Sequence, residues 1–117
     1  MTYEMRLHKE PFEQIKRGQK TIELRLNDEK RRLVKVGDCI VFRETDHPDH
    51  QLTVKVIALH SFPTFRELYE TLPLLACGYT PDDIDSATPE DMDAYYSPER
   101  QKQYGVLGIE LELIGNC

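Results

Sequence analysis

The chain has 117 residues, a formal net charge of −6, 39% apolar residues and 31% charged ones. This fits one soluble domain over residues 1–117 with a modest core, and no segment approaches the roughly 20 apolar residues of a membrane helix. The acidic total argues against gripping nucleic acid by bulk charge, but residues 1–60 hold 12 Lys/Arg against 10 Asp/Glu while residues 61–117 hold 3 against 11.

The opening "MTYEMRLHKE" has no apolar run followed by small residues, so no secretory leader is read and the expected address is the cytoplasm. "YEMRLH" alternates as a first strand with Met5 and Leu7 on one face. "EPFEQIKRGQK" predicts a short helix: Pro11 suits the first turn, Phe12 and Ile15 form an apolar pair, and Gly18 is a natural stop. "KTIELRL" is a strand with Ile22, Leu24 and Leu26 on one face and Thr21, Glu23 and Arg25 on the other. "NDEKRRLVKVGD" is a charged loop closing on a turn signal. "CIVFRE" and "QLTVKVIALHSF" are strands rich in β-branched residues, joined by the hairpin "TDHPDH".

The second half changes character. "TFRELYETL" carries Thr64 and Glu67 at capping-box spacing, with apolar residues at helical intervals. Thr80-Pro81, Thr88-Pro89 and Ser97-Pro98 each predict a short helix start. "YGVLGIELELI" closes the chain as a fifth strand. The expected fold is α+β: a small mixed, mostly antiparallel barrel of about five strands. Most of its helices are inserted before the last strand.

The chemistry-bearing residues concentrate near the second strand. Glu23 and Arg25 share a face roughly 6–7 Å apart along the strand. They form either a surface ion pair or two groups aimed at a ligand, the guanidinium holding an anion. Lys20, at the strand's start, can reach either face and serve as base or clamp. Lys30, Arg31, Arg32 and Lys35 read as phosphate capture or as a solvated loop half-neutralised by Asp28 and Glu29. Tyr95, Tyr96 and Tyr104 can stack on bases, or pack on the barrel with their hydroxyls satisfied. Ser97 reads as a helix cap. His47 and His50 are a weak metal signal without a third ligand, and His8 and His60 are lone strand histidines. Cys39, Cys77 and Cys117 are widely spaced without a C-x-x-C pair. They read as reduced thiols, the last one exposed. No metal or other cofactor is expected.

Gly18-x-Lys20-x-x-Glu23-x-Arg25, between a short helix and a basic loop ending in "VGD", resembles the signature of the ASCH domain family. The closing "YGV" strand adds to the resemblance, which covers most of the chain. It implies a PUA-like β-barrel with a cleft, often tied to RNA. Some small members look like amidohydrolases of N4-acetylcytidine, with a catalytic lysine at the position of Lys20 and a threonine where this chain has Glu23. Their catalytic glutamate has no matching position here. Other members are ribonucleases using lysine, tyrosine and a hydroxyl residue.

The first reading is therefore an RNA- or nucleotide-binding domain. Lys20 and Glu23 stand at its chemical centre, and Arg25, Arg31, Arg32, Lys35, Tyr96 and Tyr104 bind the ligand. The alternative is a small hydrolase on RNA or a modified nucleoside, with Lys20 as base and Glu23 as proton carrier. A second alternative is a protein-interaction module using Asp82, Asp83 and Asp85.

Overall fold

A computed structural model describes residues 1–115, so the expected exposure of Cys117 lies outside the described residues. The strands are β1 (Thr2–Leu7), β2 (Ile22–Leu26), β3 (Cys39–Glu44), β4 (Gln51–Phe62) and β5 (Val106–Ile114). The helices are α1 (Lys9–Lys16), α2 (Phe65–Thr71) and α3 (Pro98–Tyr104), with 3-10 turns at Arg31–Leu33, Ile84–Ser86 and Pro89–Ala94. The caps form as their residue types dictate. Thr64 Oγ1 accepts from the Glu67 amide at 3.2 Å, and Ser97 Oγ from the Arg100 amide at 3.2 Å. The Thr80-Pro81 start yields only a turn and the short Ile84–Ser86 segment. There Ser86 Oγ donates to the Asp83 carbonyl at 3.0 Å, drawing off an acceptor that a continuing helix would use.

The five strands make one mixed sheet in the order β1-β3-β4-β5-β2, curled into a half-barrel whose edges are β1 and β2. β1 runs parallel to β3, and the other pairs are antiparallel. The parallel pair is possible because α1, β2 and the charged loop supply a long crossover. β4 carries a register shift between Val56 and Ala58, a bulge that bends the long strand.

Two apolar clusters flank β2. Phe12 and Ile15 of α1 join Ile40, Phe42, Val54, Val56, Leu107 and Ile109 in one. Ile22, Leu24 and Leu26 join Phe65, Leu68, Leu72, Met92 and Val106 in the other. The apolar face of β2 is core, as its alternation implies. Its charged face is not a wet surface, however, because Glu23 and Arg25 stand beside Ile109 and Leu107 of the first cluster. Cys39 is disulfide-bonded, which corrects the reduced-thiol reading at that position, while Cys77 is a free, buried thiol. Among the described residues no helix is long and apolar enough to cross a membrane.

The second cluster depends on a close approach at Gly108, where a Cβ would stand 2.8 Å from Leu72 Cδ1 and 3.3 Å from Ile22 Cγ2. Gly108→Val is expected to cost about 2 kcal/mol by overpacking. Urea unfolding with an unchanged midpoint would show that α2 can move aside.

Candidate functional site

The helix-to-strand turn before β2 fixes Lys20. The amides of Gln19 and Lys20 both donate to the Gln14 carbonyl, at 3.0 and 3.1 Å. Gln14 Nε2 in turn donates to the Gly78 carbonyl at 3.0 Å. Gly78 has φ 111°, and a Cβ there would meet Gln14 Oε1 at 3.1 Å and Lys20 Cδ at 3.3 Å. Glycine is needed at this position both for its backbone and for the space that lets residues 73–79 close over the lysine.

From that anchor runs a buried chain of charge. Lys20 Nζ lies 2.7 Å from Glu23 Oε1, and Arg25 Nε donates to Glu23 Oε2 at 2.8 Å. The Arg25 guanidinium also donates through Nη2 to the Arg6 carbonyl at 2.9 Å, so one side chain spans the gap between the edge strands β2 and β1. Burial alone would raise the Glu23 carboxyl, but the Lys20 and Arg25 charges overcome it and hold the group below its ordinary range. Burial opposes the charge on Arg25 as well, and Glu23 outweighs it, holding the guanidinium above its ordinary value.

This chain floors a cleft of about 720 Å³. Arg6, His8 and Gln14 line it from the β1–α1 side, and Tyr69, Cys77, Tyr79, Asp91, Tyr95 and Tyr96 from the helical insertion. Tyr79 Oη donates to Asp91 Oδ2 at 2.7 Å and contacts Tyr69 Oη at 2.6 Å. Burial pushes the Tyr69 phenol up to about 12, and burial first, then its hydroxyl partners, raises Tyr79 further. Tyr96 stacks on Phe65 with ring centroids 6.4 Å apart, and burial raises its phenol. Tyr95 is exposed at 67%. Burial pushes Cys77 up to about 11, which leaves it a neutral thiol rather than an activated nucleophile.

Lys20, Glu23, Arg25 and Tyr96 thus come together in the cleft, whereas Arg31, Arg32, Lys35 and Tyr104 are not among its lining residues. Arg31 pairs with Asp28 at 3.2 Å. Arg32 donates to the carbonyls of Asn27 at 2.8 Å and Tyr104 at 3.3 Å. Lys35 is exposed, and its backbone amide donates to Asp38 Oδ2 at 2.9 Å. Tyr104 lies in a separate shallow hollow with Lys30 and Leu33, under the Arg100 guanidinium. His50 pairs with the buried Glu44 at 2.9 Å and His60 with Glu110 at 2.9 Å. Among the described residues no group of three or more His, Cys, Asp or Glu is placed to hold a metal ion. Sequence reasoning missed Gln14, Tyr69, Gly78, Tyr79 and Asp91 as cleft residues. Gly78, Tyr79 and Asp91 reach the cleft through the folded path of residues 73–96, Gln14 from α1 and Tyr69 from α2.

The sequence matches the ASCH domain over residues 5–115. It is similar in structure to hypothetical protein PH0355, with 37% identity, a TM-score of 0.80, and 97% of this chain and 100% of that one covered. Protein PF0455 from Pyrococcus furiosus gives 36% identity, a TM-score of 0.72, and coverage of 98% and 99%. An ASCH domain from Lactobacillus crispatus JV V101 shares the fold at 11% identity, with a TM-score of 0.64 and coverage of 96% and 79%. No curated protein matches the chain.

Glu23→Gln is expected to cost about 3 kcal/mol at neutral pH, because it leaves Lys20 and Arg25 buried without their counter-charge. The folded carboxyl titrates below its unfolded value of 4.5. Its contribution is therefore complete above that value and lost as pH falls through the folded pKa. Denaturant curves at descending pH should show wild type and Glu23→Gln converging below about pH 4.5. A gap that stays constant or widens in acid would contradict the assignment.

Proposed function

This chain belongs to the ASCH domain family, and from that premise we propose that residues 1–117 form one RNA- or nucleotide-binding domain, whose ligand enters the cleft above Lys20, Glu23 and Arg25. The family's PUA-like fold is generally associated with RNA, which supports that kind of partner. The observation that carries the reading is the buried Lys20–Glu23–Arg25 chain at the floor of an aromatic-walled cleft. A strand that needed only to fold would not hold three charges out of water, since their desolvation opposes stability. Lys20 has three N–H donors, and Glu23 engages one through its 2.7 Å contact. The tyrosines supply faces on which an unstacked base can lie.

The hydrolase alternative asks Glu23 to carry a proton. Both of its oxygens are engaged, by Lys20 and by Arg25, and its acidity is held low. That arrangement suits a carboxylate that orients two cations better than one that exchanges protons. An interaction role for the acidic half gains nothing from Asp83, whose carboxylate accepts from the Thr80 amide and hydroxyl at 2.6 and 3.2 Å.

Fluorescence anisotropy with short labelled single-stranded RNA tests the reading. Lys20→Ala and Arg25→Ala, each confirmed folded by circular dichroism, should weaken binding by roughly tenfold or more, the usual loss for a charge-assisted hydrogen bond. Equal binding by wild type and both variants would remove the site.

A further inference from the structure

The hydrogen-bond chain on the helical wall of the cleft has a fixed direction. Asp91 is held below the ordinary carboxylate range by the Tyr79 hydroxyl and by the Thr88 backbone and hydroxyl, so near neutral pH it is ionised and can only accept. Tyr79 has one hydroxyl proton and gives it to Asp91 at 2.7 Å. The 2.6 Å contact between the two phenols therefore has to use the proton of Tyr69. Burial keeps both phenols protonated near neutral pH, so neither can escape this count by ionising. With its proton committed to Tyr79, Tyr69 offers the cleft a lone pair and no donor.

We propose that Tyr69 is a specificity-determining residue that selects a heterocyclic base bearing an exocyclic amine, as cytosine and adenine do, over one bearing a carbonyl at that place. The inference rests on the reading of the cleft as an RNA site and adds which bases it favours. An amine presents N–H to the Tyr69 oxygen. A carbonyl presents a second acceptor to an acceptor, and both are left unpaired in a partly dry site. Tyr79 and Asp91 act through Tyr69: they hold its proton away from the ligand and are positioning residues.

The test compares equal-length labelled oligocytidylate and oligouridylate by fluorescence anisotropy. Wild type should bind the cytosine oligomer roughly tenfold tighter, the scale of one well-made base contact. Tyr79→Phe keeps the ring and removes the acceptor, which frees the Tyr69 proton. Tyr69 can then donate or accept, and the preference should fall to about twofold or less. Tyr69→Phe, which removes the reading atom itself, should lose the preference as well. A merely structural role for Tyr79 would weaken both oligomers alike and leave their ratio standing. Equal wild-type affinities, or an unchanged ratio in Tyr79→Phe, would overturn the assignment while leaving the RNA site intact. Failure of wild type to bind either oligomer would overturn the RNA reading, and the Tyr69 assignment with it.

Discussion

Glu23 is the carboxylate around which the rest of this structure is arranged. It is 4% exposed and holds Lys20 on one oxygen and Arg25 on the other. A buried charge of this kind persists only when paired and hydrogen-bonded, so its presence dictates much of what surrounds it. Lys20 has to be delivered from the α1–β2 turn, which the Gln14 carbonyl organises. Residues 73–79 have to pass over that lysine, which needs Gly78 without a side chain. Arg25 has to lie flat between β2 and β1, and its spare donor then finds the Arg6 carbonyl. The open seam of the half-barrel is bridged by the same group that neutralises the carboxylate. Shape and charge at the cleft floor therefore cannot vary independently.

Much of the scaffold was legible because it rests on local rules. β3 and β4 coincide with "CIVFRE" and "QLTVKVIALHSF", whose residues favour a pleated, half-buried surface. Ser97 caps α3 because its hydroxyl satisfies an amide that the helix leaves open. The alternation of β2 was legible too, but not its consequence. Period-two patterning separates two faces without saying what covers either. The charged face was readable as a solvated face or as a site, and its packing beside Leu107 and Ile109, which belong to a strand more than 80 residues later in the chain, was not readable. Likewise Tyr69 stands at a helical core interval, and nothing local shows that its hydroxyl meets Tyr79. That contact requires the turn at Gly78 to reverse the chain, a tertiary event with no periodic signal.

The cleft's chemistry follows from how completely its charges answer one another. Its lining includes the cations Arg6, Lys20 and Arg25 and the anions Glu10, Glu23, Asp83 and Asp91. A cavity so balanced offers little net attraction to a phosphate. Its discrimination has to come from directed donors and acceptors and from the tyrosine faces, where an unmade hydrogen bond is penalised and a made one returns a modest gain. On the proposed reading, that suits the base of a nucleotide better than its backbone.

The densest basic run in the sequence plays a different part. Arg31 spends donors on Asp28, and Arg32 fastens the loop to the carbonyls of Asn27 and Tyr104, one just after β2 and the other at the end of α3. These bonds brace the chain as it leaves the strand that carries the cleft. The positive charge most visible in the sequence thus works largely as a fastening. The charges at the cleft floor are those buried beside apolar neighbours, where each costs stability and is retained through its partners. Exposed charge is a poor guide to the site in this fold, because a solvated lysine or arginine needs no special geometry, whereas a buried one has to be built into the strand order.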